Sequence, residues 1–394
     1  MAKPTRLTVL MFALAVLVGS VAGYWRYRVT RPDYRLRQGQ EAVLQGDLRE
    51  AERWAAALEA AGDPDRAHLL RGQMYLSDNE LNAAILEYNL INHGQTDVLV
   101  EASLSYGLKF LQSGRPVEAE SFLLYVASAR PENIDARRGL AAIYYDRGAM
   151  GNALAHLEKW VELDGDDGQP HRFMGVIYKD MDANAPAAEH YRAALGLRLL
   201  PQVRRQVVRE LAEVLIRQNE YAKALKYLDG YLAGGDAPTV ALLELRADCL
   251  YGLQDAAGAV RALDRAAALG RPSSRGRRVR ALLHVAAGEF AAAAGVLEDA
   301  LRDDPHDCPC RYQLAQAYER LGRGTDADEQ LRRLDQSRRL YQELSDLNRE
   351  AIRKPTDVAV RRRLAEVCVK LDKPELARMW LRAAAACPQA AARD

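Results

Sequence analysis

The chain has 394 residues, 49% of them hydrophobic and 28% charged, and its 55 basic and 54 acidic side chains leave a net charge of +1. That balance excludes a general nucleic-acid binder, which would need a basic excess. Five cysteines, an odd number without a framework spacing, exclude a disulfide scaffold and favour the reducing side of a membrane.

In chain order, residues 1–6 form a short basic tail carrying Lys3 and Arg6. Residues 7–25, LTVLMFALAVLVGSVAGYW, contain no charge. At about 1.5 Å per residue such a helix spans roughly a bilayer core. Tyr24, Trp25 and Tyr27 would sit at headgroup level. We read this segment as an uncleaved transmembrane helix or signal anchor contacting the lipid bilayer, because its apolar run exceeds a usual signal core. The alternative is a cleaved signal peptide, for which Ser20-Val21-Ala22 is an acceptable site. No cysteine precedes Cys249, so a lipoprotein anchor is not available. The juxtamembrane segment 26–31 is Arg-rich. With Arg35 and Arg37 it outweighs the basic residues before the segment, which leans toward a cytoplasmic repeat domain on a single-pass bacterial inner-membrane protein. A short basic N-terminus also begins exported proteins, so the side stays open.

From residue 32 to about 390 one pattern repeats. Alanine returns at Ala51, Ala84, Ala119, Ala153, Ala187, Ala224, Ala259, Ala293 and Ala327, in steps of 33, 35, 34, 34, 37, 35, 34 and 34; Ala377 follows after a step of 50. Twelve residues before each stands Gly39, Gly72, Gly107, Ala141, Gly175, Ala212, Ala247, Ala281, Ala315 or Ala365. A fixed period of this length marks stacked repeats. Within 134–167, Leu140, Ala141 and Tyr144 form one apolar face at helical spacing. Gly148 breaks the chain, and Ala153, Leu157 and Trp160 form a second face. Each unit therefore reads as two helices, with small residues where their backbones approach. No Pro/Gly/Ser-rich linker divides the array, which predicts one elongated unit.

The pattern resembles the tetratricopeptide repeat (TPR) family. Residues 100–133 show its signature as Tyr106, Gly107, Phe110, Gly114, Ala119 and Pro131, and residues 308–341 as Leu314, Ala315, Tyr318, Gly322 and Ala327. The resemblance implies an all-α, right-handed superhelical solenoid of about ten helix pairs. It also implies that repeat positions 2, 5, 9, 12 and 13 of each first helix line a concave groove. Position 5 is Arg138, Arg172, Arg209, Arg278 and Arg362, and Tyr312 in one repeat; Tyr145 and Tyr251 fall at position 12. Arg and Tyr are the residues most often found at binding hot spots. These eight are the candidate partner-binding residues, suited to an acidic or C-terminal segment of a protein partner. The alternative is a solvated face balanced by Asp146, Asp180, Glu213 and Glu366. The family's chaperone-tail clamp pairs Lys at 5 with Asn at 9. Arg138/Ala142, Arg172/Val176 and Arg209/Glu213 do not reproduce it.

No catalytic motif, phosphate loop or cofactor site is found. The histidines are spread through the chain; His68 and His171 at repeat position 4 and His284 at position 11 read as packing residues. Cys308-Pro309-Cys310 reads as a loop and first helical turn, since one residue between cysteines suits a disulfide poorly and His306 leaves a metal site without a fourth ligand. The step of 50 comes from a helical insertion near 336–355. Its Leu340, Leu344, Leu347 and Ala351 form a short seam, either packed on its own repeats or available to a homodimer.

These features point to a non-catalytic, membrane-anchored scaffold in a bacterial envelope assembly or quality-control complex. A regulatory subunit or adaptor of a membrane-associated enzyme system is the alternative. The layout is similar to the lipopolysaccharide-assembly TPR family, but the two Cys-x-x-Cys pairs of that family's terminal metal domain are missing here.

Overall fold

A computed structural model of the chain describes residues 31–92, 94, 96–235, 237–354 and 357–385. The tail at 1–6, the apolar segment 7–25 and most of 26–31 lie outside the described residues. Among the described residues no helix is long and apolar enough to cross a membrane.

The described chain is a helical solenoid of twenty helices in ten pairs, without a strand. The first three pairs are α1 (Pro32–Gln45) with α2 (Leu48–Ala60), α3 (Pro64–Ser77) with α4 (Leu81–Leu90), and α5 (Thr96–Gln112) with α6 (Pro116–Ala129). The next four are α7 (Ile134–Asp146) with α8 (Met150–Leu163), α9 (Gln169–Asp180) with α10 (Asn184–Gly196), α11 (Pro201–Arg217) with α12 (Tyr221–Ala233), and α13 (Val240–Gly252) with α14 (Ala256–Leu269). The last three are α15 (Ser274–Ala286) with α16 (Phe290–Asp303), α17 (Cys308–Arg320) with α18 (Gly324–Arg353), and α19 (Val358–Lys370) with α20 (Pro374–Ala385). Where the sequence predicts one continuous array, contacts divide it into two compact units, with the boundary between Leu140 and Ala141 inside α7 rather than at a linker.

The turn within each pair explains one recurring residue type. Gly46, Asn79, Gly114, Gly148, Asp182, Asn219, Gln254, Gly288, Gly322 and Asp372 all stand at repeat position 15 with φ between 55° and 78°. Only glycine, and to a lesser degree Asn and Asp, adopts that left-handed conformation cheaply. Several helices then start on a side-chain cap: Asp47, Asp63, Asp255, Asp307 and Asp357 each accept from a backbone N–H of the first turn.

The alanine register is the core of every pair. Ala51, Ala84, Ala119, Ala153, Ala187, Ala224, Ala259 and Ala293 are fully buried, and Ala327 and Ala377 nearly so. The glycines twelve residues earlier serve two different approaches. A Cβ on Gly107 or Gly175 would stand 2.7 Å from Leu123 or Tyr191 of its own pair. A Cβ on Gly39 or Gly72 would stand 2.2 Å from Leu70 or Tyr106 in the next pair. The small residue thus admits a large neighbour, and burying such a side chain contributes about 1.5–3 kcal/mol.

Helix α18 runs unbroken for 30 residues. Leu347 and Ala351 are buried and Leu340 and Leu344 half-buried against Val360, Leu364, Cys368 and Trp380 of α19 and α20. Of the two readings of the seam at 340–351, this is the packing on the chain's own repeats. Cys308-Pro309-Cys310 opens α17, with the Cys310 N–H donating to the Asp307 cap at 2.9 Å. Burial pushes the thiol of Cys310 upward and that of Cys249 up to about 12, so neither is poised as a thiolate.

Within the second unit the last pair also meets the α7–α8 turn. The buried Arg361 guanidinium donates to the Ala383 and Arg147 carbonyl oxygens, both at 3.0 Å. The Trp380 ring lies 3.9 Å from where a Cβ on Gly148 would stand. Burial raises the Asp146 carboxyl, and the charge of Arg382 pulls it back down.

A candidate partner-binding strip

First helices of successive pairs touch in both units: α1 with α3 and α3 with α5, then α11 with α13, α13 with α15, and α15 with α17. The second helices make no comparable contact among the described residues. The first-helix side is therefore where neighbouring repeats approach, and it carries the candidate residues.

In the first unit this side is bridged by amides. Gln40 Nε2 donates to Gln73 Oε1 at 3.2 Å and to Glu101 Oε1 at 2.6 Å, and Gln73 Nε2 donates to Ser105 Oγ at 3.3 Å. Arg138, in the same unit, is exposed and paired with Asp135 one turn back at 2.7 Å.

In the second unit the rungs are ionic. The Tyr145 hydroxyl donates to Asp180 at 2.5 Å and its ring meets Phe173 edge-on at 5.4 Å. Burial, then the bond to Asp180, pushes that phenol well up. Arg172 grips the buried Glu210 carboxylate through Nε at 3.2 Å and Nη2 at 2.8 Å, joining α9 to α11. Arg209 pairs with Glu213 at 2.7 Å and lies 3.6 Å from Glu210. Arg275 and Arg278 both donate to Asp248 Oδ2, at 2.9 and 3.0 Å, joining α15 to α13. Glu244, also buried, accepts from Ser273 N at 2.8 Å.

The structure therefore brings Arg172 and Arg209 together around Glu210, and ties Arg278 to Asp248. Tyr251 is half-buried against the core of Leu250, Leu263 and Val279. Tyr312 is 42% exposed and its hydroxyl accepts from Gln316 Nε2 at 3.0 Å. Arg362 is exposed and has no ion pair among the described residues. Sequence reasoning missed Glu210, which sits at repeat position 6 and carries no groove signal. Asp248, at position 9 beside the arginines, could have been found from the family's groove positions.

Two profiles of the tetratricopeptide repeat match the chain, one at residues 110–177 and 284–347 and the other at 36–91 and 326–391, together covering more than half of it. The chain belongs to the tetratricopeptide repeat family. TPR arrays are interaction scaffolds that typically bind protein partners and are generally non-catalytic. Among solved structures, pilF of Pseudomonas aeruginosa is similar at 20% identity and a TM-score of 0.46, covering 56% of this chain and 99% of its own. A tetratricopeptide repeat protein of Parabacteroides merdae is similar at 15% identity and a TM-score of 0.41, covering 73% and 98%. The APC/C hetero-tetramer Cut9–Hcn1 gives 12% identity and a TM-score of 0.41, covering 97% and 92%. A comparison with curated protein sequences finds no match.

Proposed function

We propose that this TPR protein is a non-catalytic scaffold whose first-helix strip in the second unit receives a polypeptide segment of a protein partner. The observation that carries the reading is a division along the strip. From α9 to α15 the arginines are consumed in bonds to their own helix or to neighbouring first helices, which fixes the spacing of the repeats. On α17 and α19 the same repeat position holds Tyr312 and Arg362, which remain exposed. A rigid frame ending in an exposed phenol and an exposed guanidinium suits an acidic or C-terminal segment. The guanidinium grips a carboxylate in two-pronged geometry, and Tyr adds amphipathic contact area. Residues 7–25 anchor the scaffold in a bacterial inner membrane in this reading, with the repeats on the cytoplasmic side. The uncharged run and the excess of arginines after it support that arrangement.

The test is recovery of partners from detergent extract by the tagged full chain and by a Tyr312→Ala/Arg362→Ala variant. Both side chains are exposed, so helicity and membrane attachment should be unchanged. Specific partners should be lost or weakened, most at low salt. Equal recovery of the same partners at the same salt refutes this placement of the strip.

A further inference from the structure

In the second unit successive first helices touch and second helices do not, so the stack curves with its first helices inside. A curved stack of enough pairs returns to its own start. This one returns when the tenth pair, α19 with α20, meets the turn of the fourth, α7 with α8. The contact joins unlike ends. Arg361 in the first turn of α19 and Ala383 in the last turn of α20 form the base of the tenth pair, whereas Arg147 and Gly148 form the tip of the fourth. The two levels of the coil therefore stack along its axis, which closes the coil sideways at this point.

Arg361 reaches across by departing from its repeat role. Arg277 holds the same repeat position in the eighth pair and donates to the Asp299 carbonyl of its own pair at 3.1 Å. Arg361 makes the matching bond to the Ala383 carbonyl at 3.0 Å. Arg277 directs Nη2 to the Pro272 carbonyl just before its own helix and to Asp303 of its own pair. Arg361 instead directs Nη2 to the Arg147 carbonyl at 3.0 Å, at the C-terminal end of α7, where the helix dipole draws a cation. The Trp380 ring edge meets Gly148, and the charge of Arg382 acts on Asp146 across the contact. Neighbouring pairs are joined differently, by apolar cores such as Leu347 and Ala351 of α18 with Val360 and Leu364 of α19. A polar contact exchanges protein for water at nearly equal free energy, whereas an apolar core does not. Trp380 Nε1 is also buried without a hydrogen-bond partner among the described residues, a cost that wetting relieves.

We propose that the contact of the tenth pair with the α7–α8 turn is a clasp, which opens and recloses while every helix pair stays folded and so switches the second unit between a closed turn and an open coil. Tyr312 on α17 and Arg362 on α19 ride on the last two pairs, so opening carries them away from Arg172 and Arg209 and admits a polypeptide from the side. The clasp operates whatever the first-helix strip binds.

Hydrogen exchange of the full chain in detergent tests it, with the α15–α16 turn as internal control. The Gly148 and Ala149 N–H groups donate to the Tyr145 and Tyr144 carbonyls at 2.9 and 2.8 Å, and Gly288 and Glu289 donate to Val285 and His284 at 3.0 and 2.8 Å. The backbone bonds match, but nothing lies within 4 Å of a Cβ on Gly288. Corrected for intrinsic rates, residues 144–150 should exchange at least about tenfold more slowly than 286–292. Arg382→Glu, which reverses an exposed charge, and Arg361→Gln should each remove that difference while residues 240–252 of α13 stay protected. Equal exchange at the two turns in the unaltered chain overturns the clasp, and so does a difference that survives both variants. Loss of protection throughout 141–385 in both variants overturns it too, because the contact would then be a joint that the fold requires.

Discussion

Glycine and alanine alternate freely at repeat position 8 along the chain, yet their exchange should not be free at Gly72. A Cβ there would lie 2.2 Å from the Tyr106 hydroxyl oxygen and 3.2 Å from its Cζ. Ordinary contact needs about 3.4 Å or more, so the phenol must retreat by over an ångström. Tyr106 is fully buried, and its hydroxyl donates to the Ala84 carbonyl in the neighbouring helix. Overpacking of this kind costs about 1–3 kcal/mol. Loss of a buried hydrogen bond adds about 1–3 kcal/mol. The better helix propensity of alanine returns about 1 kcal/mol. Gly72→Ala should therefore destabilise by about 1–5 kcal/mol. Gly295→Ala is the matched control: it lies mid-helix in α16 with nothing within 4 Å of the added Cβ, and should stabilise by about 0.5–1 kcal/mol. Denaturant unfolding followed by helical circular dichroism measures both. Adding Tyr106→Phe to Gly72→Ala removes the clashing oxygen and should recover part of the loss. If Gly72→Ala is neutral or stabilising, or if Tyr106→Phe worsens it additively, the packing argument is wrong.

At Gln254, whose φ of 66° is shared with glycines in the equivalent turns, Gln254→Gly should raise stability by about 1 kcal/mol in the same unfolding assay; a loss would show that the left-handed turn is not strained there. His171 on α9 and His190 on α10, hydrogen-bonded through their Nδ1 atoms at 3.1 Å, predict a pH dependence. Burial lowers His171, and burial followed by the neighbouring His171 charge lowers His190, both from an ordinary value of 6.5. The unfolded chain then binds protons that the folded chain refuses. Stability contributed by the neutral pair is full above pH 6.5 and is lost as pH falls through 6.5 toward the lowered folded values. Unfolding measured between about pH 7.5 and 5.5 should show this slope, and the double change His171→Gln/His190→Gln should flatten it; an unchanged slope assigns the effect elsewhere.

The repeat architecture was legible in the sequence because each pair contacts its neighbours through the same few positions, so the constraint recurs about every 34 residues. The alanine register, the turn at Gly148 and its equivalents, and the long helix after Gly324 all follow from local spacing. The TPR groove positions indicated the side on which Arg172, Arg209 and Arg278 lie. They did not indicate what these residues touch, because the partners are chosen by side-chain reach between helices, across 38 residues for Arg172 with Glu210 and 30 for Arg278 with Asp248. Whether position 8 tolerates a methyl group was equally hidden, since it depends on whether a residue such as Tyr106 from the next pair fills the gap at Gly72. The spacing of the seam at 340–351 does not say what it packs on, and only the placement of α19 and α20 put it against the chain's own last pair. The contact of Arg361 with the Arg147 carbonyl spans 214 residues and uses a backbone acceptor that every sequence possesses. Periodic spacing fixes which residues face a neighbour, but the direction and reach of each side chain across that neighbour exist only once the helices are packed.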